Sequence, residues 1–146
     1  MKIITFLFVL ISIQSYSQIL NPVTWETSLE KISENEYDIV FTVDIESSWH
    51  LYSQYLSEGG PLPTVFKFEP NDNYKCEGQP LEENAKEVYE AVFEMNVKYF
   101  ENKTVFKQRI IKLNNEPIDI KGTIHYMTCN DEKCIPGSKN FEASIK

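Results

Sequence analysis

The stretch YDIVFTVDI, residues 37–45, alternates apolar and polar side chains with a period of two. Every odd-numbered position is apolar, and Val40 alone breaks the polar series at the even positions. Because successive side chains of a β-strand point to opposite faces of its sheet, this alternation predicts a strand with one buried face. An amphipathic helix would instead repeat its apolar positions every three or four residues.

Further short segments rich in β-branched and aromatic residues follow along the chain, separated by turn-forming residues. They are TVFKF (64–68), MNVKYF (95–100), TVFKQRIIKL (104–113), IDIKGTIHYMTC (118–129) and NFEASIK (140–146). Residues 101–103 are expected to form a hairpin loop between the second and third of these segments. Residues 82–93, EENAKEVYEAVF, favour a helix of one or two turns. The pattern therefore predicts an all-β fold, an antiparallel β-sandwich.

Aromatic side chains are expected to supply much of the core. Burying one of them stabilises a fold by roughly 2–3 kcal/mol, and aromatic residues at strand spacing more often pack a core than bind a ligand. The candidates are Trp25, Tyr37, Phe41, Trp49, Phe66, Phe68, Phe93, Phe100, Phe106 and Phe141.

The N-terminal residues have the pattern of a secretory signal peptide. Lys2 precedes a mostly apolar run over residues 3–13, and small serines follow it. The run is too short to span a bilayer, which takes about 20 residues. We expect cleavage after Ser17, export to the periplasm, and a single domain over residues 18–146 with no stable membrane insertion.

The composition narrows the classes of partner. The formal net charge of −8 argues against nucleic acid or an anionic membrane surface as a partner. The chain has three cysteines, so at least one is unpaired or used transiently. An exported protein resides where disulfides can persist.

Cys129 and Cys134 flank the polar spacer NDEK at the end of the last long strand. A short polar turn can bring two Cα atoms within the 4.4–6.8 Å that a disulfide requires. A structural clip over so short a loop would stabilise little, whereas a bond on a turn suits reversible exchange. A third possibility is a copper(I) or zinc site formed with His125 and Met127, which share the polar, non-core face of the strand with Cys129. The residues alone leave these three interpretations open.

Cys76 lies within NYKCEGQP, residues 73–80, which we expect to be a loop between strands. The simplest interpretation is a free thiol. A bridge from Cys76 to Cys129 or Cys134 remains an open alternative, and it would remove the redox interpretation of that pair.

The segment YMTCNDEKCIPG, residues 126–137, resembles the cysteine motif of the N-terminal periplasmic domain of the thiol:disulfide interchange protein DsbD. Three upstream segments resemble the same family in the same order. They are SSWHLYSQ (47–54), GGPLPTVFKF (59–68) and GQPLEENAKEVYEAVFEMNV (78–97). The resemblance covers nearly all of the chain after the signal peptide.

This resemblance implies an immunoglobulin-like β-sandwich whose cysteine pair cycles between dithiol and disulfide without a bound cofactor. It implies that Cys134 forms the mixed disulfide with a partner and that Cys129 resolves it. Tyr52 matches an aromatic position that shields the pair, and either Tyr89 or Phe93 would be the aromatic residue of a cap loop. The chain would then be a component of a protein-disulfide reductase system.

The implied partners are thioredoxin-like periplasmic proteins and a separate membrane electron donor, with the domain itself expected to be a monomer. The family's membrane and thioredoxin-like domains are not found in this sequence, which therefore reads as a stand-alone version of one domain. Gly137 departs from the family pattern, because a second proline is often found there, and Cys76 has no place in the motif. If the pair is not redox-active, the alternative is a non-enzymatic sandwich that binds proteins and carries a structural disulfide.

Overall fold

The computed structural model describes residues 20–146, so the expected signal peptide lies outside it. Within that range the chain forms ten strands and no helix. The strands are β1 (Val23–Lys31), β2 (Glu36–Ile45), β3 (His50–Tyr52), β4 (Val65–Phe68), β5 (Tyr74–Glu82), β6 (Lys86–Glu90), β7 (Met95–Phe100), β8 (Lys103–Lys112), β9 (Ile118–Cys129) and β10 (Cys134–Ile145).

The strands form two antiparallel sheets that pack as a sandwich, which confirms the predicted fold class. The four-stranded sheet has the order β1-β2-β8-β5. The six-stranded sheet has the order β10-β9-β3-β7-β6, and β4 also pairs with β9. β3 and β4 pair with successive parts of β9, so this long strand organises the six-stranded sheet.

The core lies between the sheets and follows the alternation seen in the sequence. The odd positions of β2 from Ile39 to Ile45 are buried in this core. On the other face of the strand Asp44 is exposed, but Asp38 and Val40 are also buried. Of the aromatic candidates, six are buried in this core, namely Trp25, Phe41, Trp49, Phe100, Phe106 and Phe141. Tyr37, Phe66 and Phe68 pack against it partly buried, and Phe93 belongs to a second cluster described below.

The expected hairpin at residues 101–103 is wrong. β7 belongs to the six-stranded sheet and β8 to the four-stranded sheet, so the chain crosses between sheets here. Asn102 adopts a left-handed conformation with φ 62°, which asparagine tolerates better than most residues. Its carbonyl accepts a hydrogen bond from the Ile45 amide at 2.7 Å, which ties the corner to the end of β2.

The expected helix within residues 82–93 is also wrong. Residues 86–90 form β6, which pairs with β7 in the register Lys86↔Tyr99 to Glu90↔Met95. The short segment has too few residues to form a stable helix alone, and ladder hydrogen bonds to β7 decide its conformation. Residues 91–94 form the turn of this β6–β7 hairpin.

Cys76 lies inside β5, opposite Ile110, and not in a loop. It is half-buried against the core and is a free cysteine. The alternative bridge to Cys129 or Cys134 is therefore not formed in this structure. Burial raises the pKa of the Cys76 thiol, which disfavours the reactive thiolate.

Candidate functional site

The β9–β10 hairpin places Cys129 directly opposite Cys134, and the two form a disulfide with a Cα–Cα distance of 4.1 Å. The four-residue loop between them is organised by Asn130. Its side-chain oxygen accepts hydrogen bonds from the amides of Glu132 at 3.0 Å and Lys133 at 2.9 Å. The backbone amide of Asn130 donates to the Lys133 carbonyl at 3.0 Å. The polar spacer thus acts as a self-contained turn that holds the two cysteines in register.

The two cysteines differ sharply in exposure. Cys129 is 2% exposed, whereas Cys134, at the start of the edge strand β10, is exposed. The sequence suggested a polar, non-core face for Cys129, and its burial corrects that expectation. The Cys129 side chain points away from the core between the sheets. It packs in a second apolar cluster, in which Tyr52 and Val97 are also buried.

Phe93 and Tyr52 are two of the three aromatic residues in this second cluster, and Tyr99 is the third. Phe93 lies in the turn of the β6–β7 hairpin and meets the Tyr52 ring edge-on, with centroids 6.3 Å apart. Tyr52 is fully buried on β3. Tyr89 lines the same cleft but is 65% exposed on β6. The structure therefore brings all three predicted shielding aromatics to the disulfide, with Phe93 rather than Tyr89 packed into the cluster that buries Cys129.

A polar network lies beside the disulfide. The Tyr52 hydroxyl donates to the Glu90 carboxylate, 3.2 Å from Oε1 and 3.0 Å from Oε2. The same hydroxyl lies 3.2 Å from Nε2 of His50, and that nitrogen is 3.6 Å from Glu90 Oε1. The His50 ring also lies against Tyr99, with centroids 4.5 Å apart. These contacts join β3 to the end of β6 and so fasten the hairpin next to the disulfide.

Burial shapes the titration of this network. It lowers the pKa of His50, although the carboxylates of Glu90, Glu101 and Asp131 act in the opposite direction. Burial and the neighbouring Glu90 carboxylate raise the pKa of Tyr52, so its phenol stays protonated. The cleft therefore contains a neutral hydrogen-bond donor, the Tyr52 phenol, and a titratable imidazole, that of His50.

His50 and Glu90 are the residues that sequence reasoning missed. His50 lies opposite Cys129 in the β3–β9 register, and Glu90 comes from the distant strand β6. The local signal for His50 is the HLY segment, because residues two apart on a strand share a face and His50 must accompany Tyr52. No local pattern places Glu90, since its position depends on how β6 pairs with β7.

The donors proposed for a soft-metal site do not converge. The sulfurs of Cys129 and Cys134 are bonded to each other, and His125 is exposed four residues earlier along β9. Across residues 20–146, no group of three or more His, Cys, Asp and Glu side chains is arranged to hold a metal ion.

Gly137 lies at a position where the family pattern often has a proline, and packing against Tyr126 explains the glycine. It lies opposite Tyr126 in the β9–β10 register, and a Cβ added there would come within 2.4 Å of the Tyr126 ring. A larger residue at this position would require Tyr126 to move. Among residues 20–146, no helix is long and apolar enough to cross a membrane.

Among solved structures, the N-terminal periplasmic domain of ScsB from Proteus mirabilis matches with a TM-score of 0.60 and 15% identity, covering 84% of this chain and 46% of that chain. The N-terminal domain of DsbD from Neisseria meningitidis in the reduced form matches with a TM-score of 0.54 and 19% identity, covering 82% and 84%. A structure of the complex between the DsbD N-terminal and PilB N-terminal domains from the same organism matches with a TM-score of 0.56 and 18% identity, covering 86% and 87%. This chain thus spans about half of the ScsB chain and most of the two Neisseria chains, and at these identities the likeness shows a shared fold.

No curated protein matches the sequence. The family model for the N-terminal part of the thiol:disulfide interchange protein DsbD matches residues 19–145, which is most of the chain. The protein therefore belongs to the family of DsbD N-terminal domains, with their immunoglobulin-like β-sandwich.

Proposed function

We propose that the protein is a periplasmic thiol–disulfide exchange module that relays reducing equivalents between thioredoxin-like proteins through Cys129 and Cys134. The observation that carries this proposal is the asymmetry of the disulfide. One sulfur belongs to an exposed residue at a sheet edge, and the other belongs to a residue buried in the cluster that contains Tyr52 and Phe93. A purely structural bond needs no such difference between its two ends.

In the reductive half-reaction, a thiolate of the electron donor attacks Sγ of exposed Cys134. The Cys129–Cys134 bond breaks, and Cys129 leaves with the electron pair and takes up a proton. The donor's second thiolate then attacks the donor's first sulfur, which is the one bonded to Cys134 in the mixed disulfide. This attack releases Cys134 as a thiolate. The donor is left as a disulfide and this protein as a dithiol, so two electrons have been transferred.

In the second half-reaction, the Cys134 thiolate attacks the disulfide of an acceptor protein and forms a new mixed disulfide. Cys129 loses its proton and attacks Cys134, and the acceptor leaves as a dithiol. No bound cofactor enters either half-reaction. Cys134 is thus the partner-facing residue and Cys129 the resolving residue, in agreement with their exposures.

Family membership and the sequence support the proposed partners and compartment. A DsbD N-terminal domain from Neisseria meningitidis is described in complex with a PilB domain, and the ScsB relative is described as periplasmic. These descriptions support protein partners and a periplasmic location for this chain. The electrons would enter from a separate membrane donor, as the family resemblance implies.

Tyr52 and Phe93 are proposed to shield the disulfide between encounters, with Tyr89 at the exposed margin of the same cleft. Phe93 lines the cleft that also holds Cys129 and Cys134, and in this proposal it limits the approach of small thiols to the disulfide. A partner protein would have to displace the hairpin turn, so the shield favours reaction with partners that dock there.

The assignment of roles is tested with single-cysteine variants in a Cys76→Ala background. The probe is a single-cysteine thioredoxin whose thiol is blocked as a disulfide with thionitrobenzoate. The Cys129→Ser variant, which keeps Cys134, should displace the coloured leaving group and form a persistent protein–protein disulfide. The Cys134→Ser variant should react much more slowly, because its remaining thiol is buried. Equal rates for the two variants would contradict the assignment.

One observation favours the alternative of a structural disulfide. The bond joins directly opposed residues at the end of the β9–β10 hairpin and so also holds the register of two long strands. Glutathione titration separates the two functions. A potential between about −180 and −270 mV supports exchange, whereas a bond that stays oxidised below about −300 mV supports a clip.

A further inference from the structure

We propose that His50 is the proton acceptor for the Cys129 thiol, with Tyr52 and Glu90 holding its ring in place. This inference rests on the exchange function proposed above and adds a residue to it. The carboxylates of the cysteine motif, Asp131 and Glu132, are exposed in the β9–β10 loop, whereas His50 lies on the strand that pairs with Cys129.

The sheet register places His50 beside the resolving cysteine. His50 pairs with Cys129 across β3 and β9, and both line the cleft at the disulfide. Directly opposed residues of antiparallel strands have Cβ atoms about 4.5–5.5 Å apart on the same face of the sheet. An imidazole is therefore the nearest cross-strand neighbour of the buried thiol on the β3 side.

The hydrogen bonds around the ring define its tautomer. Tyr52 has one phenolic proton, and this proton goes to the Glu90 carboxylate. The Tyr52 oxygen must then accept from His50, so Nε2 carries the ring proton. In the neutral ring this leaves Nδ1 as the basic nitrogen, free to take a proton.

The chemistry of a buried thiol requires such a neighbour. A bare thiolate in the cluster of Tyr52, Val97 and Phe93 would be disfavoured by its apolar surroundings. Transfer of the proton to His50 creates a thiolate beside an imidazolium, and each charge stabilises the other. Glu90, 3.6 Å from Nε2, stabilises the imidazolium in turn. When the disulfide is reduced, the same proton returns from His50 to the departing Cys129 sulfur, so the cycle balances.

Titratable and charged groups face His50 from every element around it. They are Tyr52 on β3, Glu90 on β6, Tyr99 and Glu101 at the end of β7, Cys129 on β9 and Asp131 in the β9–β10 loop. Burial outweighs the acidic groups and lowers the pKa of His50. The ring is therefore neutral at pH 7 and available as a base.

The test measures the pKa of Cys129 directly and needs no partner protein. In a Cys76→Ala, Cys134→Ser background, Cys129 is the one thiol in residues 20–146, and its rate of alkylation by iodoacetamide is followed from pH 5 to pH 10. His50→Gln keeps a donor near the Nε2 position and removes the base. We expect its alkylation midpoint to move up by about one pH unit, which lowers the rate at pH 7 about tenfold. Glu90→Gln should move the midpoint in the same direction by less.

The plateau of the alkylation rate at high pH reports how accessible the Cys129 thiolate is, and the midpoint reports its pKa. A loosened hairpin would raise the plateau, whereas loss of a base would move the midpoint. His125→Gln is the matched control, since His125 is exposed on the same strand as Cys129, and it should change neither value. If His50→Gln does not fold, Glu90→Gln carries the test.

A midpoint unchanged in both His50→Gln and Glu90→Gln would overturn this inference. The exchange function would be unaffected, because it is measured separately as electron transfer from reduced thioredoxin to the two-cysteine protein. A shifted midpoint in a protein that does not exchange with thioredoxin would instead overturn the proposed function.

Discussion

The two sulfurs of the disulfide have different surroundings although they are bonded to each other. Cys129 points into the cluster of Tyr52, Val97 and Phe93, while Cys134 begins an edge strand. In the proposed reaction an incoming thiolate therefore reaches Cys134 first, and the leaving sulfur belongs to the residue that pairs with His50. At the scale of single residues, this proposal makes burial the feature that decides which of the two sulfurs is attacked.

Phe93→Ala tests the shield. Phe93 contacts Tyr52 edge-on, and such aromatic pairs contribute about 0.5–1.5 kcal/mol beyond area burial. If that amount helps to hold the hairpin turn against the cleft that both cysteines line, its loss should raise the rate of disulfide reduction by dithiothreitol about two- to tenfold. The rate is measured by quenching with an alkylating agent and mass spectrometry.

Val92→Ala is the control for this experiment, because Val92 is the neighbouring residue and is 87% exposed. It should leave the reduction rate unchanged. An equal acceleration in both variants, or none in Phe93→Ala, would show that Phe93 does not limit access to the disulfide.

Among the elements, β9 connects the site to the rest of the sandwich. Its end carries Cys129, its inner face supplies Ile118, Ile120 and Ile124 to the core, and β3, β4 and β10 all pair with it. Gly122 lies where β4 and β10 both approach the strand. A Cβ at this position would be 2.3 Å from the Lys67 carbonyl oxygen and 2.4 Å from the Phe141 ring.

Gly122→Ala should therefore destabilise the protein. The added methyl group meets backbone on one side and a buried ring on the other, and overpacking of this kind costs about 1–3 kcal/mol. The free energy of unfolding of the oxidised protein is measured by urea titration. Ser138→Ala, at an exposed position on β10, should stay within about 0.5 kcal/mol of the wild type. An unchanged midpoint in Gly122→Ala would mean that β4 shifts at little cost.

In the whole molecule, the site and the core are separate. The core lies between the sheets, whereas the cluster around Cys129 lies on the outer face of the six-stranded sheet. We therefore expect the disulfide to open and close, and the turn of the β6–β7 hairpin to move, with little change in the packing between the sheets. His50 and Glu90 connect the site on this outer face to the sandwich. His50 lies on β3, which pairs with both β7 and β9, and Glu90 on β6 lies next to it.

This link predicts a pH dependence of overall stability. Burial lowers the pKa of His50 in the folded state below its ordinary value of 6.5. Between these two values the unfolded chain binds more protons, so the free energy of unfolding falls as the pH falls below about 6.5. Urea unfolding of the oxidised protein between pH 7.5 and pH 5 measures the loss.

His50→Gln should lack this part of the pH dependence, while His125→Gln, at an exposed position, should keep it. If wild type and His50→Gln lose stability equally across that range, the carboxylates of the protein account for the loss and His50 does not.

The strands with one buried face could be predicted from the sequence, because period-two alternation is a local signal and their inner sides form the core. The turn between the two cysteines could also be predicted from the sequence, because a four-residue turn that begins with Asn130 is a local structure. Family membership followed from the order of short motifs along the chain. In each case the information lies within a few residues of the feature it predicts.

What the tertiary structure alone decided depends on pairing between distant segments. Residues 86–90 form a strand because β7 offers a partner, and residues 101–102 turn a corner because β8 joins the other sheet. The burial of Cys129 and its position opposite His50 depend on the register between β3 and β9. The sequence determined which residues could carry the chemistry, and strand pairing determined which of them meet, because register is set by contacts across the sheet rather than by neighbours along the chain.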